Sequence, residues 1–155
     1  MINKKYFLLV CSFILIFAGC SKETKNNFEK FYLEDKYYNS GNYIDIDSTL
    51  FDKIKDESYV LFTYNNFCNM SKPCEEVFEE YMKKYKIDFI SMPFEEFRKT
   101  KFYDKVKYAP SIIIVQNGEI VSYLDAELDE DIDKYQNVDL FEKWINKYIY
   151  NSNNN

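Results

Sequence analysis

The chain has 155 residues, a length that suits about one domain. Apolar residues make up 46% of it and charged residues 30%, a composition typical of globular proteins that excludes a wholly disordered chain. The net charge of −6 excludes a nucleic-acid-binding protein, and the absence of histidine excludes His-based catalytic triads and most zinc or copper sites.

The N-terminus has the pattern of a secretion signal. Two lysines precede an apolar run at residues 6–17, which is too short to span a bilayer comfortably but suits the core of a signal peptide. The run ends in Phe17-Ala18-Gly19-Cys20, which resembles the lipobox of bacterial lipoproteins, with Phe17 where that family prefers leucine. The resemblance implies cleavage after Gly19, lipidation of Cys20 and attachment to the bacterial cell membrane on its extracytoplasmic side. An uncleaved N-terminal anchor is the alternative, and it predicts the same compartment.

The four cysteines divide into two groups. Cys11 lies within the signal and Cys20 would carry the lipid, which leaves Cys68 and Cys74. Disulfides form and persist outside the cytoplasm, so we expect these two residues to bond to each other. Their spacing alone does not separate a structural disulfide from a reactive one.

The rest of the chain alternates strand and helix patterns. In chain order the periodicities predict a short opening helix at 28–32, a strand at 43–47, a helix at 48–56, a strand at 59–64, a helix at 74–85, a strand at 87–92, a helix at 94–106, strands at 111–115 and 119–123, and a helix at 138–148. Ser48 is the predicted cap of the second helix, and helical spacing places Leu50 and Leu140 inward.

Two connecting segments carry their own signals. Asn117-Gly118 lies between two apolar runs and predicts a tight β-hairpin. The acidic stretch 125–133 predicts a solvated loop, and it lacks the glycine turn of a calcium-binding EF-hand loop. Leaving the opening helix aside, the order β-α-β-α-β-α-β-β-α predicts an α/β fold with a mixed central sheet and helices on both faces.

Three segments, in this order and at this spacing, resemble the thioredoxin-like superfamily. Residues 59–67 resemble the strand and bend that lead to the active-site cysteine, and Cys74 opens an amphipathic helix as the family's second cysteine does. Residues 108–115 resemble the segment that carries the family's cis-proline, and residues 117–119 match its hairpin turn. The resemblance covers residues 48–148. It implies a three-layer α/β/α fold whose mixed sheet is closed by a C-terminal β-hairpin and helix.

The resemblance also implies site residues. Cys68 would attack a substrate disulfide, and Cys74 would resolve the mixed disulfide. A cis bond between Ala109 and Pro110 would place the backbone of Ala109 beside the cysteines, where the family pairs with an extended substrate peptide.

Two features depart from the family pattern. Five residues separate the cysteines instead of two, and an alternative alignment sets Ser71 in the place of the nucleophile. Six residues of helix rise ~9 Å, beyond the ~7 Å limit for bridging two Cα atoms. Cys68 must therefore lie in a loop ahead of the helix, with Ser71 as candidate N-cap and Pro73 in the first turn. The second departure is Phe62, where the family carries a buried acid that helps to move protons.

These features predict a membrane-tethered extracytoplasmic thiol–disulfide oxidoreductase that acts on secreted proteins. It would use no cofactor, require an external redox partner and function as a monomer. The alternative is a non-catalytic binding or accessory lipoprotein with a structural Cys68–Cys74 disulfide, which Phe62, the longer motif and the acidic pair Glu75 and Glu76 favour. A peroxiredoxin-type peroxidase is a third hypothesis, weakened because Thr-x-x-Cys is missing and Arg98 is the single arginine.

The predicted organisation has four parts. Residues 1–19 are a lipoprotein signal peptide, and residues 20–27 are the lipidated cysteine and a polar tether. Residues 28–150 form the thioredoxin-like domain. Residues 151–155 are a disordered tail.

Overall fold

A computed structural model describes residues 29–65, 73–125 and 127–152 of the chain. The predicted signal peptide, Cys20 with its tether, and Cys68 lie outside the described residues. Within the described residues no helix has the length and apolar character needed to cross a membrane.

One mixed sheet forms the centre of the fold. Its strands are β1 (Tyr43–Asp45), β2 (Tyr59–Tyr64), β3 (Phe89–Pro93), β4 (Ser111–Gln116) and β5 (Glu119–Asp125). Their order across the sheet is β1-β3-β2-β4-β5. β3 pairs in parallel with β1 and β2, whereas β4 is antiparallel to both of its neighbours. The bounds agree with the sequence prediction to within two residues at each end.

Helices cover both faces of this sheet. They are α1 (Ser48–Phe51), α2 (Cys74–Tyr85), α3 (Phe94–Phe97), α4 (Asp129–Gln136) and α5 (Val138–Ile145), with 3-10 turns at Asp35–Tyr37 and Lys101–Asp104. α2, α4 and α5 pack together on one face, where the Phe78 ring meets the rings of Tyr135 and Phe141. On the other face Phe51 of α1 packs edge-on against Phe102 of the second 3-10 turn. The predicted three-layer α/β/α class, with a C-terminal hairpin and helix closing the sheet, is confirmed.

The predicted hairpin is also confirmed. Asn117 and Gly118 adopt φ of 49° and 76°, the left-handed conformations that a two-residue turn between twisted strands requires. A Cβ on Gly118 would come within 2.0 Å of the Lys55 carbonyl oxygen, so this position requires glycine.

The predicted opening helix is wrong. Phe31 instead forms a parallel bridge with Ile149 near the C-terminus. Its backbone N–H donates to the carbonyl of Tyr148 at 2.9 Å, and its own carbonyl accepts from Tyr150 at 3.0 Å. The apolar side chains that predicted a helix face therefore attach the start of the domain to its end.

Helix α1 is shorter than predicted, and its cap is Asp47 rather than Ser48. The Asp47 carboxylate accepts the N–H groups of the two residues after Ser48, while the Ser48 hydroxyl donates to Glu96 at 2.7 Å. The helix ends after one turn, and Leu50 is 42% exposed, so its predicted inward position is wrong. Leu140 of α5 is likewise exposed, because Asn137 caps that helix and turns Phe141, Trp144 and Ile145 inward instead.

Two predicted segments differ in their secondary structure. The predicted helix at 94–106 is interrupted at Thr100. The Thr100 hydroxyl donates to the Phe97 carbonyl and accepts from the Phe102 N–H, so Thr100 separates α3 from the 3-10 turn. The acidic stretch is not a solvated loop, because α4 begins within it. Asp131 in the first turn accepts the N–H of Asp125, and negative charge there is stabilised by the helix dipole.

The predicted disordered tail is wrong for its first residue. The Tyr81 hydroxyl donates to the Asn151 side chain at 2.9 Å, which holds Asn151 against α2. Residues 153–155 lie outside the described residues.

Asp88, just before β3, organises the loop that precedes β1. Its carboxylate is 3% exposed and accepts N–H groups of Ser40, Gly41 and Asn42 and the side-chain amide of Asn39. Burial alone would raise the pKa of Asp88, but these four donors outweigh it and lower the pKa below its usual value. The carboxylate is therefore held ionised by the loop that it organises.

We predict that Asp88→Asn lowers the free energy of unfolding by about 2 kcal/mol at neutral pH, because hydrogen bonds to a charged acceptor are lost. The pKa of Asp88 is lower in the folded protein than in the unfolded chain, where it is about 3.9. The ionised carboxylate therefore stabilises the fold at pH values above about 3.9, and this stabilisation is lost as pH falls through the folded-state pKa. The difference between wild type and variant should therefore shrink below about pH 4. Urea unfolding at stepwise lower pH measures this. The exposed Asp56→Asn is the matched control, and equal losses in both variants would contradict the prediction.

Candidate functional site

The candidate site lies at the edge of the sheet where β2 ends and β4 begins. Thr63 near the end of β2 pairs with Ser111 at the start of β4. Two residues further out, Asn65 and Ala109 are joined by a hydrogen bond of 3.0 Å from the Asn65 amide nitrogen to the Ala109 carbonyl oxygen. Helix α2 begins nine residues after Asn65, at Cys74.

Cys74 is the first residue of α2 and is fully buried. The predicted start of the helix is therefore confirmed. The N-cap position falls on the exposed Pro73 rather than on Ser71, so the predicted cap is wrong. A proline at the start of a helix costs no intrahelical hydrogen bond, since the first N–H groups of a helix have no partner within it.

One carboxylate contacts the Cys74 sulfur, and two buried tyrosines feel its charge. The sulfur lies 3.5 Å from Oε2 of Glu75. Burial raises the pKa of the Tyr43 phenol, and the negative charges of Cys74 and Glu75 raise it further. Burial likewise raises the pKa of Tyr135, again with Cys74 as the largest charge effect. The Tyr43 hydroxyl is buried and has no hydrogen-bond partner within the described residues.

The predicted cis bond between Ala109 and Pro110 is confirmed. Pro110 is buried, and its carbonyl lies 3.2 Å from the Tyr135 hydroxyl, which also donates to the carbonyl of Leu124 at 2.6 Å. Tyr135 therefore connects α4 to the proline segment and lies close to Cys74. The structure thus places Ala109 against Asn65 and Pro110 against Tyr135, and the predicted site residues Cys68 and Cys20 lie outside the described residues.

A cavity of about 270 Å³ lies between α2 and the strands β1, β3 and β2. Its walls include the rings of Tyr43, Phe62 and Tyr64 and the carboxylates of Asp45, Glu75 and Glu79. No lysine or arginine of the described residues lines it. A larger hollow of about 620 Å³ lies between α1 and residues 99–101, on the other face of the sheet and away from Cys74.

Phe62 forms part of the wall of the 270 Å³ cavity, as a buried ring. It is 2% exposed and packs edge-on against Phe78 of α2, with ring centres 5.3 Å apart. The position at which the family resemblance expects an acid is therefore filled by hydrocarbon. Among the described residues no group of three or more Cys, Asp or Glu side chains is placed to hold a metal ion.

Sequence reasoning missed Asn65, Tyr135 and the contact of Glu75 with the sulfur. Asn65 follows a strand, where asparagine is a common turn residue, but its target lies 44 residues away in sequence. Tyr135 falls in the stretch next to the predicted acidic loop, so no helical face was assigned to it. The sequence marks Glu75 as a charge near the cysteines, but it does not show that the Glu75 carboxylate contacts the Cys74 sulfur.

No family model and no curated protein matches the chain. Among solved structures it is similar to thioredoxin NaTrxh from Nicotiana alata, at 20% identity over 71% of this chain and 94% of that one, with a TM-score of 0.48. It is also similar to oxidised thioredoxin from Plasmodium falciparum (20% identity, 66% and 96% covered, TM-score 0.46) and to thioredoxin f from spinach chloroplast (16%, 70% and 95%, TM-score 0.44).

Sequence identities and TM-scores this low do not indicate an activity for the chain. The architecture is decided by the strand order, the antiparallel β4, the helices on both faces and the cis-proline directly before β4. The fold is thioredoxin-like.

We predict that Tyr135→Phe lowers the free energy of unfolding by about 1–3 kcal/mol, because the carbonyls of Pro110 and Leu124 lose a buried donor. Urea unfolding measures the change. Tyr123→Phe is the control, since the hydroxyl of Tyr123 makes no hydrogen bond within the described residues. This substitution should cost less than about 0.5 kcal/mol. Equal effects of the two substitutions would show that the Tyr135 hydroxyl does not hold the proline segment.

Proposed function

We propose that the chain is a membrane-tethered, extracytoplasmic thiol–disulfide oxidoreductase that acts on the thiols and disulfides of secreted proteins. One observation carries the proposal: the buried Cys74 is the first residue of α2, the helix that follows β2 in the chain, and Asn65 at the end of β2 is bonded to Ala109 of the cis Ala109–Pro110 segment. A cysteine at a helix N-terminus lies near unpaired N–H groups and the positive end of the dipole, which favour a thiolate.

The reaction needs two sulfur atoms and a place for the substrate backbone. The Cys68 thiolate attacks one sulfur of a substrate disulfide, forms a mixed disulfide and expels the other sulfur as a thiolate. Cys74 then attacks the sulfur of Cys68, and the substrate leaves as its second thiolate. Two electrons pass from the protein dithiol to the substrate, and an external dithiol restores the protein. Starting from the oxidised protein, the same steps run in reverse.

Ala109 provides the place for the substrate backbone in this proposal. Within the described residues its N–H group has no hydrogen-bond acceptor, and its carbonyl is taken by the Asn65 amide. The neighbouring Tyr108 is 52% exposed, so an extended peptide can reach this edge. Such a peptide would pair with the N–H of Ala109 and displace Asn65 from the carbonyl.

A non-catalytic accessory lipoprotein with a structural Cys68–Cys74 disulfide is the second candidate. Complete burial of Cys74 favours it, because a structural disulfide is protected from attack. Phe62 favours it as well, since a hydrocarbon ring does not move protons. The two candidates differ in the reduction potential that they require of the cysteine pair.

We predict a reduction potential between about −120 and −270 mV for the Cys68–Cys74 pair, the range of disulfide-exchange proteins. Titration against glutathione measures it, in a chain carrying Cys11→Ser and Cys20→Ser so that the pair contributes the only thiols. A value below about −300 mV would indicate the structural disulfide instead.

The roles of the two cysteines are tested by trapping. Cys74→Ser should accumulate a mixed disulfide with a substrate peptide, because the resolving sulfur is gone. Cys68→Ser should form none, since the remaining sulfur is buried. Equal trapping by both variants would overturn the assignment of attacking and resolving residues.

The proposed tether predicts a lipid on Cys20. In a bacterial host the chain should take up labelled palmitate and sediment with membranes, and Cys20→Ser should lose the label. Cys11→Ser is the matched control and should keep both properties, because Cys11 would be removed with the signal. Retention of the label by Cys20→Ser would rule out lipidation at this residue.

A further inference from the structure

The buried sulfur of Cys74 must lose a proton before it can attack, and the chain has no histidine to accept it. Cys74 is fully buried, so bulk water does not reach its sulfur directly. A chain without histidine lacks the side chain whose ordinary pKa lies nearest to neutral. Among the described residues, the candidate proton acceptors are therefore the tyrosines and carboxylates near the sulfur.

The two phenols near Cys74 do not serve. Burial raises the pKa of both Tyr43 and Tyr135, so both stay protonated at neutral pH. The Tyr135 hydroxyl is also committed to the carbonyl of Leu124 at 2.6 Å. Phe62, on the adjoining strand, has no polar atom in its side chain.

The three carboxylates of the cavity differ in what they contact. Asp45 accepts the hydroxyl of Ser91, and Glu79 pairs with Lys83 at 2.7 Å. Glu75 is the one of the three whose oxygen lies within hydrogen-bond distance of the Cys74 sulfur, at 3.5 Å. Its side chain is partly exposed and lines the 270 Å³ cavity, so it connects the buried sulfur with solvent.

We propose that Glu75 is the proton acceptor of Cys74 in the step that resolves the mixed disulfide. The proposal rests on the oxidoreductase function proposed above. As the Cys74 sulfur bonds to the Cys68 sulfur, the bond between Cys68 and the substrate sulfur breaks and its electron pair leaves with the substrate thiolate. Glu75 takes the proton of Cys74 and releases it to water in the cavity. The carboxylate ends the cycle ionised, as it began.

A carboxylate beside a sulfur has a second effect of opposite sign. Its negative charge disfavours the thiolate, so a purely electrostatic Glu75 would slow the attack of Cys74. Removing the charge then accelerates the step, whereas removing a proton acceptor slows it. The direction of the change therefore separates the two roles.

The test follows the reduced chain, with Cys11→Ser and Cys20→Ser, as it reacts with one equivalent of an aromatic disulfide whose thiolate is coloured. Attack by Cys68 releases one coloured thiolate in a phase that depends on reagent concentration. Attack by Cys74 releases the second coloured thiolate in a phase whose rate does not depend on reagent concentration. Cys74→Ser should abolish the second phase, which assigns it to the resolving step.

Glu75→Gln should slow the second phase on the order of a hundredfold, the usual contribution of a positioned base, and leave the first phase within about threefold. Glu76→Gln is the matched control, because it removes the same charge one residue further along α2 from an exposed side chain that does not line the cavity. It should leave the second phase within about threefold of the parent rate.

Two further measurements identify proton transfer rather than a structural effect. Added formate should restore part of the second-phase rate of Glu75→Gln, because a small carboxylate fits the open cavity. The defect should also shrink as pH rises, because a growing fraction of the thiol then ionises without a base. Failure of both would mean that Glu75 acts through structure alone and would overturn the proposal.

The remaining outcomes distinguish this proposal from the one on which it rests. If the parent chain shows no second phase, the oxidoreductase proposal fails and the role of Glu75 fails with it. If the parent chain resolves but Glu75→Gln is unchanged or faster, the role of Glu75 alone is overturned.

Discussion

The antiparallel register between β2 and β4 fixes the position of every group at the candidate site. Thr63 lies opposite Ser111, so the chain leaving β2 and the chain entering β4 emerge side by side. Asn65 therefore reaches the Ala109 carbonyl, and Pro110 comes to lie beneath Tyr135. A slip of one residue would turn every side chain of β2 to the opposite face and break these contacts.

The aromatic packing of α2 against the sheet explains why Cys74 is buried while Glu75 is not. Phe78 lies one helical turn after Cys74 and contacts the ring of Phe62, so the face that both share is directed into the core. Glu75 and Glu79 are also one turn apart, on the adjoining face, and both line the cavity. The same helix thus buries the sulfur and places a carboxylate between it and solvent.

The chain combines a thioredoxin-like framework with a hydrocarbon ring at the position where the family resemblance expects an acid. Phe62 fills the cavity wall with a ring that adds to the core through Phe78, and no histidine is present to compensate. A carboxylate that contacts the sulfur directly is a physically sufficient replacement, at the cost of repulsion towards the thiolate. The longer spacing between the cysteines is a second departure from the family pattern.

The sequence by itself determined the features that depend on neighbouring residues. The strand pattern of β2, the Asn117-Gly118 turn, the start of α2 at Cys74 and the cis-proline segment were all predicted, because each rests on signals a few residues apart. These signals were enough to predict the class of fold and to propose the cysteine pair with Ala109 and Pro110.

Only the tertiary structure decided which side chains meet across the chain. Asn65 and Ala109 are 44 residues apart, and Tyr135 and Pro110 are 25 apart, so no local pattern relates them. The same reason explains the errors: Leu50 fits a helical face but has no core to cover, and Phe31 is used by a distant strand-like bridge. Local periodicity describes what a segment can bury, whereas the packing of distant segments decides what is buried.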